Sequence, residues 1–276
     1  MWVTAVYHQV SLFSLKPPDA TSTGGKSLLV PTPSSIKMAL LDAAIRTTGV
    51  QGGARIFPLL RDMAIALSPP PYIMVNNCFV RIQKPRRTDS GSKGAGGKSG
   101  GEDEREQPAE EQPEQDGESS GSGLGPYTHN VGFREYVQYS GPLGLAAQVE
   151  VQEAAIRLSQ LLPLVNYLGK RGGFFQLDSL PKVRSQLPPQ QGFLQFTESP
   201  EIGSAGVHID QGAGGEPRVL LQLLDDWSPE MTFDHVNVYA PSLAVGKDRR
   251  QLLVQLPYRL LRSGHGFTLY QRTDLE

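Results

Sequence analysis

Asn166-Tyr167-Leu168-Gly169-Lys170-Arg171-Gly172-Gly173-Phe174-Phe175-Gln176-Leu177 is the stretch on which the reading of this chain turns. Its three glycines can take positive φ and bring backbone amides close to a ligand, Lys170 and Arg171 supply cations, and Phe174 and Phe175 supply π-faces. That combination suits a clamp on a polyanion that carries bases. It also suits a glycine-rich hairpin whose two Phe residues face opposite sides of a strand, one of them wet.

Upstream of the clamp, Val151, Ala154, Ala155, Leu158, Leu161 and Leu162 recur at helical spacing, and Pro163 stops that helix. Leu143 to Val151 reads as a strand before it. Tyr127 to Tyr139 and Tyr72 to Lys84 read as strands, the latter with Tyr72, Met74, Asn76, Cys78, Val80 and Ile82 on one face. Thr32-Pro33-Ser34-Ser35 opens a helix with a hydroxyl cap and a proline in the first turn. Ile36, Ala39, Leu40, Ala43 and Ala44 then mark its buried side, and Gly49 or Gly52-Gly53 ends it. A further helical turn around Pro58 to Met63 precedes the break at Pro69-Pro70-Pro71, and Trp2 to Leu15 forms the first strand. The order strand, helix, strand, strand, helix, strand predicts an α+β, ferredoxin-like (RRM-like) fold over residues 1–180, a frequent RNA platform. Residues 181–276 are expected to be β-rich, with strands at Gly192–Thr197, Arg218–Trp227, Thr232–Ala240, Gln251–Arg262 and Phe267–Arg272. They form either a second, degenerate ferredoxin-like half or a small β-domain.

The net charge of −2 over 276 residues conceals a segregation. Thr88 to Pro126 carries ten acidic residues against Lys93, Lys98 and Arg105, which leaves 18 acids and 23 bases in the rest of the chain. A mildly basic body suits a nucleic-acid partner. The acidic segment has no aromatic residue and cannot bury enough apolar surface to offset its ordering entropy, so 88–126 is expected to be a disordered insertion at the tip of a hairpin.

Other classes fall away. Gly25-Lys26-Ser27 and Gly97-Lys98-Ser99 resemble the end of a phosphate loop, but Ala20 and Ser92 stand where its first glycine is required. His208-Ile209-Asp210 has no companion cluster at metal spacing, and Cys78 is the single cysteine, so neither a metal, a cofactor nor a disulfide is expected. A run of about 18 apolar residues is absent and the N-terminus lacks a basic, signal-like region, so a soluble, cytoplasmic protein without a membrane partner is expected.

The RNA-binding candidates are Gly169, Lys170, Arg171, Gly172, Gly173 and Phe174 in the clamp, with Arg81, Lys84, Arg86, Arg87, Arg134 and Lys37 outside it. Arg86 and Arg87 also read as a solvated strand end, Lys37 as the wet side of a helix, and Arg134 as the partner of Glu135. If the chain cut RNA without metal, Tyr7, His8 and His129 would be the acid–base candidates, although structural roles suit the histidines as well. The non-catalytic reading is preferred, with a scaffold free of RNA as a third class.

In order and spacing, three stretches resemble the Cas-five family of the RAMP superfamily, subunits of Cascade-type CRISPR surveillance complexes. They are Val30-Pro31-Thr32-Pro33-Ser34-Ser35-Ile36-Lys37-Met38-Ala39-Leu40-Leu41, Phe133-Arg134-Glu135-Tyr136, and Leu164-Val165-Asn166-Tyr167-Leu168-Gly169-Lys170-Arg171. The resemblance implies a ferredoxin-like RAMP domain with a thumb between its second and third strands. It further implies a grip on the 5′ handle of the crRNA within a ribonucleoprotein of antiviral defence, contacts to the neighbouring backbone subunit and the large subunit, and only indirect contact with target DNA. Some relatives cut precursor guide RNA.

Shortening Gly91 to Gly121 to a brief Gly-Ser linker is expected to leave the melting temperature nearly unchanged, because loop-closure entropy changes by only about 0.6 kcal/mol per doubling of loop length. A large drop in thermal denaturation would show that the segment packs.

Overall fold

Val3, Ala5 and Tyr7 lie on one side of the first strand, β1 (Trp2–Gln9), and Trp2 and Thr4 on the other, yet all five are buried. A strand covered on both faces belongs in the middle of a sheet. The computed structural model, which describes residues 1–18, 25–85, 127–196, 220–237 and 248–274, places it there. On one side β1 pairs antiparallel with β5 (Leu143–Gln148), and on the other with β6 (Phe175–Leu177) and β7 (Lys182–Arg184). β5 pairs with β2 (Ile65–Ser68), and β2 with β8 (Leu194–Gln195), which gives the order β6-β1-β5-β2-β8. Helix α1 (Pro33–Asp62) lies between β1 and β2 in the chain, and α2 (Gln152–Leu161) between β5 and β6.

α1 begins as its sequence predicts: Ser35 N–H donates to the Thr32 hydroxyl at 3.1 Å, and Pro33 occupies the first turn. It breaks but does not end at Gly49, whose φ of 74° is non-helical, and a second segment runs to Asp62. The helical turn expected at Pro58–Met63 is the end of that segment. α2 buries Ala154, Ala155, Leu158 and Leu161, within a residue of the expected bounds.

A second antiparallel sheet has the order β11-β12-β3-β4, from β3 (Tyr72–Pro85), β4 (Tyr127–Tyr139), β11 (Tyr258–Gly264) and β12 (Phe267–Arg272). The strands read at Tyr72–Lys84 and Tyr127–Tyr139 therefore belong to this sheet. The second strand of the first sheet is the four-residue β2, whose Ile65-Ala66-Leu67-Ser68 is too short for a period to show. A separate hairpin pairs β9 (Leu220–Trp227) with β10 (Arg249–Leu256). The strand expected over Gln251–Arg262 is two strands parted at Pro257, which has no N–H to donate. Thr232–Val236 folds instead into a 3-10 turn at Phe233–His235, where His235 Nδ1 meets Asp248 Oδ2 at 2.7 Å. Residues 238–240 lie outside the described residues. The fold thus mixes helices with antiparallel sheets.

The chain divides into two compact units, one formed by Met1–Phe79 with Phe133–Glu276 and the other by Val80–Gly132. In the second unit the described residues are the strand segments 80–85 and 127–132, and the whole acidic segment expected at 88–126 lies outside them.

Lys37 was expected to face solvent or RNA, and it does neither. Its side chain is 1% exposed, Nζ sits 2.7 Å from Asp226 Oδ1 on β9, and it donates to the Arg61 carbonyl at 2.9 Å. Arg250, opposite Asp226 on β10, approaches the other carboxylate oxygen at 3.0 Å. Burial pulls the Lys37 pKa below the ordinary lysine value, and the Asp226 carboxylate opposes that pull. The cause of the error is tertiary: helical periodicity is blind to a hairpin almost two hundred residues away that covers the polar side of α1.

Replacing Lys37 with Met leaves the buried Asp226 with Arg250 as its cation and the Trp227 N–H on its other oxygen, and it leaves the Arg61 carbonyl without the Lys37 donor. A loss of about 3–5 kcal/mol is expected in urea unfolding. A loss below about 1 kcal/mol, the value of a surface pair, would show that the cluster does not hold α1 to the hairpin.

Candidate nucleic-acid interface

The clamp folds as a tight hairpin. Tyr167 bridges Phe174, Leu168 N–H donates to the Gly173 carbonyl at 3.4 Å, and Gly173 N–H donates to the Lys170 carbonyl at 3.2 Å. Buried Leu168 and Phe175 anchor its two arms, while Lys170 and Arg171 are exposed at its tip. Left-handed backbone occurs at Gly169 (φ 80°) and Gly172 (φ 104°). Gly173 does not share it. There the constraint is proximity, since a Cβ would lie 2.8 Å from Phe13 Cβ. Ser11 stitches the tip to the segment that follows β1: its hydroxyl accepts from Phe174 N–H at 2.7 Å and donates to the Gly172 carbonyl at 2.5 Å. The two Phe residues face opposite sides, Phe175 in the core and Phe174 about half exposed.

The tip faces two other segments. Phe13 bridges Val137 of β4, Leu15 exchanges hydrogen bonds with Ser27 and Leu28, and Glu135 N–H donates to the Gly25 carbonyl at 2.8 Å. The Glu135 carboxylate accepts the Ser27 N–H at 2.9 Å. These bonds gather Lys16, Lys26, Arg134, Lys170 and Arg171 around one open cavity of about 510 Å³, with Tyr136, Gly172 and Gly173 in its walls and no carboxylate among its lining residues. An adjoining cavity of about 520 Å³ shares Leu15, Lys16 and Lys170 and runs to Gly169 and the first turn of α1 at Thr32, Ser34 and Ser35. On its far wall Asp225 is paired with Arg249 at 2.9 Å. Five cations facing one open groove repel each other, and a polyanion relieves that repulsion.

Of the predicted residues, the groove brings together Lys170, Arg171, Gly172, Gly173 and Arg134, with Gly169 next door. Phe174 does not line it, and Lys37 is spent in its buried ion pair. Arg81 is exposed on β3 in the second unit, which also holds Lys84, while Arg86 and Arg87 lie outside the described residues. Sequence reading missed Lys16 and Lys26. The signal was the Gly25-Lys26-Ser27 triplet, set aside because it failed as a nucleotide-hydrolysis loop although a lysine beside small residues still suits a phosphate.

The acid–base candidates do not converge. Tyr7 is fully buried, donates to the Leu162 carbonyl at 2.7 Å, and burial raises its pKa. His8 is exposed and lies 3.1 Å from Asp178 Oδ1. His129 falls in β4 without a described side chain, and His208 and Asp210 lie outside the described residues. Among the described residues no cluster of His, Cys, Asp and Glu could hold a metal ion, and no helix is long and apolar enough to cross a membrane.

No family model matches the chain. It is 25% identical over 240 residues to a CRISPR-associated protein Cas5 of Archaeoglobus fulgidus, a match that covers 87% of this chain and 85% of that protein. A crystal structure of a CRISPR protein from Archaeoglobus fulgidus aligns over 99% of this chain and 92% of that one, with a TM-score of 0.36 at 10% identity.

Gly169→Ala tests the tip. Its new Cβ would press on Leu15 in a backbone region that alanine rarely adopts, so a loss of about 1–3 kcal/mol is expected in chemical denaturation. Gly172→Ala meets open space and should cost less, from φ alone. Equal stability of Gly169→Ala and the parent would refute this tip geometry.

Proposed function

We propose that the chain, which is 25% identical over 240 residues to a CRISPR-associated protein Cas5, is a Cas5-type, non-catalytic, RNA-binding subunit of a CRISPR effector complex that grips the 5′ handle of the crRNA in the cationic groove. The observation that carries the proposal is the convergence of Lys16, Lys26, Arg134, Lys170 and Arg171, from three separate stretches, on one cavity without a carboxylate in its lining. Phosphates held by these cations would position the strand, and splayed bases would be read on their edges.

The sheet order supports the finer reading of the fold. With α1 between β1 and β2 and α2 between β5 and β6, the antiparallel order β6-β1-β5-β2 is that of a split βαβ, ferredoxin-like domain. The β3–β4 hairpin departs between β2 and β5, where the family resemblance expects a thumb. In this reading the subunit caps the protein backbone of the complex beside its neighbouring subunit and the large subunit, takes part in antiviral defence, and meets target DNA only through them. Burial of Tyr7 behind the Leu162 carbonyl favours binding over cleavage.

The salt dependence of repeat-RNA binding tests the groove. If all five cations meet phosphates, log K falls with log salt at a slope of about −3.5, and Lys170→Ala with Arg171→Ala brings it to about −2. Unchanged affinity and slope would sink the groove. Site-specific cleavage of the repeat in chelator, lost on changing His8 or His129, would overturn the non-catalytic reading.

A further inference from the structure

The wet face of an antiparallel sheet ordinarily carries polar residues of both signs. The outer face of β11-β12-β3-β4 departs from this. Ile73 and Val75 turn to the core, so Tyr72, Met74 and Asn76 turn outward, and the register sets Gln271, Leu269 and Phe267 beside them. Arg259, Arg262 and Gly264 continue these rows on β11. On β4, Val137 and Tyr139 are buried, so Arg134 and Tyr136 point outward, and both also line the cationic groove.

Among the described residues this face holds three aromatic rings (Tyr72, Tyr136 and Phe267), three arginines (Arg134, Arg259 and Arg262) and no carboxylate. Tyr72 is 38% exposed, and Phe267, Met74 and Leu269 are half-buried. The Arg262 guanidinium lies 5.9 Å from the centroid of the Phe267 ring, and the Arg259 fork donates to Gln271 on the same face at 2.9 Å. From the Tyr72 row to the Phe267 row is four residues, roughly 13 Å, room for bases laid on separate rings.

We infer that this sheet face is a base-stacking platform for single-stranded RNA, continuous with the groove through Arg134 and Tyr136. A protein partner would also cover the apolar Met74 and Leu269, but it would meet arginines with no acid interspersed. A nucleic acid matches both the charge and the rings. The inference rests on the groove reading only for the direction from which the strand arrives.

The test uses the full chain with short (about 4 nucleotides) and long (about 12 nucleotides) oligouridylates, within the range of single-strand site sizes. Tyr72→Leu with Phe267→Leu keeps the face apolar and the fold intact by melting temperature. It should weaken the long oligomer about tenfold or more with an unchanged salt slope, and leave the short one unaffected. Arg262→Gln should lower the long oligomer's slope by about 0.7. Ultraviolet cross-links from the parent protein should map to Tyr72 and Phe267. Unchanged long-oligomer affinity in the folded double variant overturns the platform, as does a variant that keeps RNA but loses other subunits of the effector complex. If the Lys170/Arg171 variant binds normally while the Tyr72/Phe267 variant fails, the groove reading falls and the platform stands.

Discussion

The charge cluster of Lys37, Asp226 and Arg250 is the contact on which the arrangement of this chain depends. Removing an ammonium and a carboxylate from water costs several kcal/mol per ion, and that cost is offset only when the geometry is good and the remaining donors and acceptors are used. Lys37 meets those terms, with Nζ between the Asp226 carboxylate and the Arg61 carbonyl. Because Lys37 stands in the first half of α1 and Arg61 in the last turn of the second, one side chain fixes how the helix folds back across its break at Gly49. The same ammonium ties both halves to the β9–β10 hairpin, where Phe57 stacks on Trp227 with ring centroids 5.2 Å apart.

That hairpin also bears on the groove. Asp225 and Arg249 stand beside Asp226 and Arg250 and form a wall of the cavity that shares Lys16 and Lys170 with the cationic site. A displaced hairpin would therefore change the shape of the cavity beside the cationic groove without touching any of the five cations. The clamp is set from its other side by Ser11 and by the packing of Phe13 against Tyr139 and Phe175, at 5.3 and 5.9 Å between centroids. Charged groups held on such supports lose little freedom when a ligand arrives, so more of the electrostatic attraction appears as affinity.

In the proposed reading, the groove and the sheet face divide two kinds of recognition. Around the groove the cations come from loops and a hairpin tip, where a backbone can bend to a phosphate. On the sheet the rings stand in register on strands, which fix their spacing. Arg134 and Tyr136 belong to both, since alternation along β4 turns them to the outer face at the edge nearest the loops.

The sequence by itself determined the local elements: Thr32 as the cap of α1, the stripe of Ala154, Ala155, Leu158 and Leu161 on α2, the arms of the β3–β4 hairpin, and a clamp with Lys170 and Arg171 at its tip. These are set by capping, periodicity and turn chemistry within a few residues, where the chain's own neighbours dominate. Tertiary structure alone decided that the four residues of β2, too few to show a period, complete the first sheet beside β5. It also decided which lysines are wet. Lys37 carries the pattern of an exposed helical residue but is covered by a distant hairpin, while Lys16 and Lys26, in an unremarkable loop, are drawn to the RNA-binding candidates by bonds to β4 and the clamp. Burial of a charge depends on what the rest of the chain places over it, and no local window of sequence contains that information.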